Sequence, residues 1–465
     1  MRVHLCAAVL IIASAFVVAG CKSSPESDAS EPEASSATST STPSVAGADE
    51  DAIDWQAPVT VAVGDAYAGP WRMNDSKFHY VDDPSVALGP DGASSVVWVD
   101  NRAQNVLFQR FDAQGRAMLE EPANVSRSPE IFSWLPSVVV DPDDASQIYV
   151  LWQEIVFSGG SHGGEAFFAR SVDGGQSFEA PLNLSTSKAG DGKGRLTKER
   201  WDNGSLDLAL APDGDLFAAW TEYEGRLWLR RSTDGGRSFE PAVHVAGSEQ
   251  SPARGPSLVV TEDAVHLAWA VGQSDSADVR YARSGDDGAS FSEVLVVAET
   301  DGHSDAPSIA VDQRGVVHAA FGESPTGMFG RYHVRYTRLA ADAEAFAEPR
   351  ALTAPDSASS SNFPTLATAG SATVYALWEH YTDGARRPTA LGFARSENGG
   401  EAFGDPVLVP GTETDELGFN GSLQGMLSEK LSVNDAGDVA VVNSRFDTGN
   451  SSRVRLIRAT SSASK

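Results

Sequence analysis

Cysteine is almost missing from this chain, with two in all, Cys6 and Cys21. The spacing supports neither a disulfide framework nor a thiolate zinc site. Cationic side chains are also scarce: 35 Lys and Arg stand against 64 Asp and Glu, a formal net charge of −29. The acidic residues are spread along the chain, which argues against nucleic acid or an anionic lipid surface as partner. Long apolar runs are absent except for Ala7 to Ala19, which is too short to span a bilayer. Residues 21–52 hardly contain a large apolar side chain and consist mainly of Ser, Thr, Ala, Pro and Glu, so they cannot bury enough surface to fold. No zinc pattern, phosphate loop or serine nucleophile elbow is present, and the reading calls for no metal and no cofactor.

What the chain does contain is repetition. Ser171-Val-Asp-Gly-Gly-Gln-Ser-Phe178, Ser232-Thr-Asp-Gly-Gly-Arg-Ser-Phe239, Ser284-Gly-Asp-Asp-Gly-Ala-Ser-Phe291 and Ser396-Glu-Asn-Gly-Gly-Glu-Ala-Phe403 share one form. Such self-similarity at intervals of roughly 50 to 60 residues signals a repeat architecture. Each unit reads as four strands. A short apolar strand comes first, as in Pro84-Ser-Val-Ala-Leu88, Pro136-Ser-Val-Val-Val140, Leu206-Asp-Leu-Ala-Leu210 and Pro307-Ser-Ile-Ala-Val311. Its near-continuous apolarity predicts burial on both faces. A second strand ends on Trp98, Trp152, Trp220, Trp269, Phe321 or Trp378, and a third ends on Arg110, Arg170, Arg231, Arg283, Arg338, Arg395 or Arg458. An arginine present in every unit reads as framework tying one unit to the next. The box follows, and then a fourth strand predicted over Phe178 to Leu184, Phe239 to Val245 and Phe403 to Val409. Its glycines can take φ > 0, its Asp or Ser can bond nearby amides, and its Phe can plug the space between sheets.

Two units keep this frame without the box, Phe111 to Met118 and Leu339 to Phe346 standing in its place, which makes six. A seventh is split: Leu431 to Val433, Asp438 to Val442 and Arg453 to Arg458 supply three strands, and Trp55 to Ala62 supplies the fourth from the other end. The expectation is an all-β, seven-bladed β-propeller of four-stranded antiparallel sheets over residues 53–465, closed by the N-terminal strand. Six blades is the alternative if the split unit fails to close.

Val18-Ala19-Gly20-Cys21 resembles the lipobox of bacterial lipoproteins. That resemblance implies a signal peptide over residues 1–20, cleavage before Cys21, lipidation of its thiol, and residues 21–52 as a tether to the cell envelope. Lys22 follows the cysteine in place of the Asp that resembles an inner-membrane retention signal, which leans toward the outer membrane. The chain is expected to be monomeric.

The boxes themselves resemble those of the Asp-box, or BNR-repeat, proteins of the sialidase superfamily, over most of the chain after the tether. The resemblance implies that boxes lie on the face opposite the ligand site. What recurs in every blade is then scaffold, and what occurs once on the ligand-side loops is a candidate for function. The position two beyond the second-strand aromatic, occupied by Asp100, Glu154, Glu222, Val271, Glu323, His380 and Arg445, is expected to form a ring around the ligand-side mouth. It reads either as solvated strand ends capping amides or as a rim that binds a cation, an amine or a sugar.

Sialidase chemistry, as the resemblance implies it, needs three arginines converging on a carboxylate, an Asp acid/base, and a Tyr activated by Glu. Trp71-Arg-Met-Asn74 keeps the Arg of the family's Phe/Tyr-Arg-Ile-Pro motif and loses its Pro. Candidate arginines are Arg72, Arg200, Arg254 and Arg445. Asp83 or Asp202 could be the acid, and Tyr223 beside Glu222 the nucleophile pair. The favoured reading is a noncatalytic, lipid-anchored propeller that binds a glycan or an envelope protein. The alternative is an exo-sialidase or related glycoside hydrolase acting on glycoconjugates.

Overall fold

In a computed structural model the described residues are 53–65, 79, 81–100, 102–103, 105–127, 132–158, 161–185, 205–222, 225–248, 250–272, 277–355, 358–385, 387–413, 419–420, 429–447 and 451–460. Cys21 and the segments expected to be a signal peptide and a tether lie outside them. They form seven antiparallel sheets and no helix, so the propeller has seven blades. Six blades are contiguous in sequence, and the second shows the pattern: Phe132–Val140 innermost, then Ile148–Ser158, Ser161–Ser171 and Leu182–Asn183 at the rim.

The seventh blade closes as expected. Ser451–Thr460 pairs on one side with Val439–Asp447 and on the other with Val59–Gly64, in the register Val59 to Leu456 and Val63 to Arg453. A second short piece, Asp54–Trp55, continues the pairing to Thr460 and Ala459. The two pieces are separate because Pro58 has no N–H to give the ladder. The outer strands are shorter than predicted: Leu182–Asn183, Val243–Ala246 and Val407–Leu408. One backbone bond follows each box, such as Glu179 N–H to Arg170 and Glu240 N–H to Arg231, before Pro181, Pro241 and Pro406 interrupt the ladder.

Each box is a closed hydrogen-bond circuit. Ser232 Oγ accepts the Gly236 N–H and donates to Asp234, which accepts the Ser238 N–H and hydroxyl. The same circuit recurs at Ser171 and Ser284, and at Ser396 Asn398 takes the Asp position and accepts the Ala402 N–H alone. The box also reaches the preceding blade. A Cβ on Gly236 would stand 2.6 Å from Phe168, and one on Gly175 would stand 2.0 Å from Phe108. Phe239 packs edge-on against Phe168, Phe178 against Phe108, and Phe403 against Tyr336. Burying one such phenylalanine contributes about 1.5–3 kcal/mol. The third-strand arginines bridge the same seams. Arg170 donates to Gly235 O and Arg338 to Gly399 O, while Arg458 closes the ring onto Asp112 O and Gly92 O of the first blade.

The innermost strands carry a second inter-blade device. Each Pro of the Pro-Ser/Thr pattern follows a residue in the left-handed region: Asp83, Leu135, Gly255, Ala306 and Phe363, at φ of 48°, 50°, 55°, 53° and 51°. The ladder shifts register there in all five strands. A side chain in that conformation costs about 1–3 kcal/mol and persists where packing over-determines it. The hydroxyl just after the Pro then takes an amide of the next inner strand: Ser257 from Ile309 at 3.0 Å and Ser308 from Leu366 at 2.9 Å. Across the seventh seam, Ser432 takes the Leu88 amide at 3.0 Å.

Candidate functional site

The inner strands enter from the face opposite the boxes. Two residues before the Pro-Ser position, the blades carry Asp82, Trp134, Arg254, Asp305, Asn362 and, in the seventh, Glu429. This position varies from blade to blade while the staple beside it repeats. Because what varies between blades is a candidate for function, this position forms a candidate ring distinct from the one expected at the second-strand ends.

At the fourth and fifth blades this ring builds a charged cluster. Arg254 Nη1 meets Asp305 Oδ2 at 3.0 Å, and His303 Nε2 approaches the same oxygen at 3.4 Å. Burial alone would raise the Asp305 carboxyl, but the Arg254 charge, the His303 ring and the Ala306 N–H together hold it well below the usual carboxylate range. The Nε and Nη2 groups of Arg254 are buried and make no hydrogen bond. His303 is 1% exposed and meets Tyr332 edge to face at 6.1 Å. Burial pushes the Tyr332 phenol far up, the Asp305 charge adds to this, and its O–H donates to Met328 O at 3.0 Å.

Beside this cluster a cleft of about 1120 Å³ opens between the ligand-face loops of the fifth and sixth blades. Met328, Phe329, Arg331, Tyr332, Asn362 and Tyr381 line it. Phe329 is 95% exposed, the most exposed large apolar side chain among the described residues. Behind the cleft Tyr381 donates to Glu379 Oε2 at 2.8 Å, and Lys430 Nζ bonds Glu379 Oε1. Burial and then the Glu379 charge push the Tyr381 phenol well above its usual range. This Tyr–Glu pair has the composition of a nucleophile and its base. Its electrostatics are the reverse of activation, because Lys430 already holds the carboxylate and the phenol keeps its proton.

The candidates from sequence fall in different places. Asp83 is buried in the first-blade bulge rather than free at a loop. Glu222 sits at a turn, where its backbone bonds Arg226 and Gly225. Arg445 donates to Glu413 O at 3.2 Å, three blades from Arg254. Arg72, Arg200, Asp202 and Tyr223 lie outside the described residues. Among the candidates that are described residues, only Arg254 joins the charged cluster.

The expected ring at the second-strand ends does not line the axial cavity. A position two beyond the aromatic shares its face of the sheet, so these side chains pack between blades. Glu154 accepts the Trp152 indole N–H at 3.1 Å, His380 lies with Trp378, and Asp100 caps the amides of Arg102 and Ala103. Asp100 also meets His79 at 3.0 Å, and Glu323 pairs with Arg335. Burial pushes the His380 ring below its usual value.

No protein-family model matches the sequence, and no curated protein is similar to it. Among solved structures the chain is similar to a polysaccharide lyase, an ulvan lyase bound to -[GlcA(1-4)Rha3S]-, at 12% identity and TM-score 0.53 over 86% of this chain and 95% of that one. A protein of unknown function from Dyadobacter fermentans gives 16% identity and TM-score 0.48 over 73% of this chain and 99% of that one. An α-L-arabinofuranosidase of Fusarium graminearum gives 13% and 0.44 over 71% and 94%. At these identities the likeness is one of fold alone, and the fold it identifies is the propeller.

Proposed function

We propose that this chain is a noncatalytic, lipid-anchored propeller of the bacterial cell envelope that binds a glycan in the cleft between its fifth and sixth blades. The observation that carries the reading is Phe329, almost fully exposed over a cleft lined by Tyr332, Tyr381, Asn362 and Arg331. An aromatic face offers a flat apolar platform for the C–H face of a sugar ring, and the amide, hydroxyls and guanidinium supply hydrogen bonds for its hydroxyls. The lipobox-like Val18 to Cys21 and the Ser/Pro/Thr/Glu-rich tether would hold that cleft at a membrane surface, the outer membrane by the Lys22 argument. A polysaccharide lyase on the same fold supports a glycan as ligand. The net charge of −29 disfavours densely anionic polymers.

The absence of catalysis rests on the tyrosines. Both phenols at the cleft are pushed up and engaged, Tyr332 with Met328 O and Tyr381 with a carboxylate already paired to Lys430. A second reading, the exo-sialidase or related hydrolase, is favoured by the unbonded Nε and Nη2 of Arg254, a fork suited to one carboxylate. A glycan microarray probed with the purified chain, run beside fluorogenic sialosides and other glycosides, separates the two. Binding without turnover supports the proposal. Turnover above blank establishes the enzyme, and neither binding nor turnover removes both readings.

A further inference from the structure

On the propeller axis lies a second site, built where the repeat breaks its own rule. The inner strands place Ser or Thr after the Pro, as at Ser137, Ser257, Ser308 and Thr365, but the third blade places Asp207 there. Asp207 bonds its neighbour Leu208 N–H through Oδ1 at 2.8 Å and the next blade's Leu258 N–H through Oδ2 at 2.6 Å. The Leu208 amide is the one that Ser137 would take by analogy with the other seams. Ser137 is 4% exposed, its hydroxyl has no hydrogen-bond partner, and it lines the axial cavity of about 280 Å³ together with Asp207 and Glu429. Glu429 is the seventh blade's residue at the position that varies from blade to blade. Among the described residues no donor reaches its carboxylate.

We propose that this axial cavity binds one hard divalent cation, with the Asp207 and Glu429 carboxylates and the Ser137 hydroxyl as protein ligands and water completing the shell. The charge balances, since two carboxylates match one divalent ion. A carboxylate has about four lone-pair sites, so the two amide bonds to Asp207 leave it two for a cation. The polar side chains lining the cavity offer oxygen, apart from Lys430, whose ammonium is engaged by Glu379. An oxygen-only donor set selects calcium-like ions over zinc or copper. A bound cation would tie the third blade to the seventh across the axis, independently of any ligand in the cleft.

The test is calcium titration of the full-length chain, purified in detergent and stripped with EDTA, followed by equilibrium dialysis and thermal unfolding. A chain this acidic gathers calcium unspecifically, so sodium chloride of matched ionic strength and magnesium serve as controls. The expected result is one calcium per chain, a rise in melting temperature above that in sodium chloride, and affinity about tenfold or more weaker in Glu429→Gln. No uptake beyond the salt control, or equal uptake in wild type and Glu429→Gln, overturns the assignment. If Glu429→Gln does not fold, Ser137→Ala takes its place, and equal affinity in that variant overturns it as well.

Discussion

Ser257 Oγ accepts the backbone N–H of Ile309 from the neighbouring inner strand at 3.0 Å, one of the contacts by which side-chain oxygens join blade to blade around the axis. The bond is partly buried, so the amide has little recourse to water if the hydroxyl is removed. Ser257→Ala is therefore expected to destabilise the fold by about 1–3 kcal/mol, the cost of leaving such a group unsatisfied. Ser290→Ala, at an exposed box hydroxyl, is expected to cost less. Urea unfolding of the two variants side by side checks the difference, and equal midpoints would contradict the stapling role.

A box glycine set against a glycine of the first turn in the same blade offers a sharper comparison. Gly214 and Gly236 both have positive φ, 90° and 77°, but a Cβ on Gly214 meets nothing within 4 Å while one on Gly236 meets Phe168 at 2.6 Å. Gly214→Ala is expected to cost about 1–2 kcal/mol of backbone strain. Gly236→Ala adds overpacking at the seam, about 1–3 kcal/mol more. If the two variants melt alike, the box is only a hairpin turn and does not join blades.

Much of this was readable in advance and some was not, for physical reasons. Hydrophobic runs, Pro-Ser pairs and box spacing exposed the blades and the split seventh, because those features recur. The left-handed residue before each Pro is invisible in sequence, since Asp83, Leu135, Ala306 and Phe363 share no side-chain chemistry. That bulge carries Arg254 and Asp305 to the entrance opposite the boxes, a placement that strand spacing alone assigns to the second-strand ends. Asp207 stood in plain view in Leu206-Asp-Leu-Ala-Leu210. The apolarity of that strand dominates its pattern and masks its one departure from a hydroxyl at the position. Phe329 offered only a weak signal, an aromatic between Met328 and Gly330 in a loop.

The axial carboxylates also set a pH dependence. The folded Asp207 carboxyl lies near 7 and Glu429 is raised too, both above their values in an unfolded chain. The stability tied to their protons is present in full below the unfolded values near 4 and is lost as pH rises through about 7. Glu379 and Lys430 line the neighbouring wall and compensate one another. In EDTA, Glu429→Gln is expected to gain stability relative to wild type between about pH 5 and pH 8. A difference that stays constant over this range in denaturant titrations would show that the folded Glu429 carboxyl is not raised.

Phe329 is a candidate for binding alone. Because its ring is 95% exposed, Phe329→Ala is expected to leave the melting temperature unchanged. It should weaken binding of whichever array glycan is captured by about tenfold, near 1.4 kcal/mol. Unchanged affinity, read by calorimetry, would move the ligand away from the cleft.

The pairing of Val59–Gly64 with Ser451–Thr460 joins segments from opposite ends of the sequence. During synthesis the first of these emerges long before its partner exists. The early strand must wait, unpaired and with alternating valines exposed, while six blades are made. Ring closure is then a late and single event, so a chain interrupted before Ser451 would present two open sheet edges at once, a form suited to capture by chaperones or proteases rather than to slow repair.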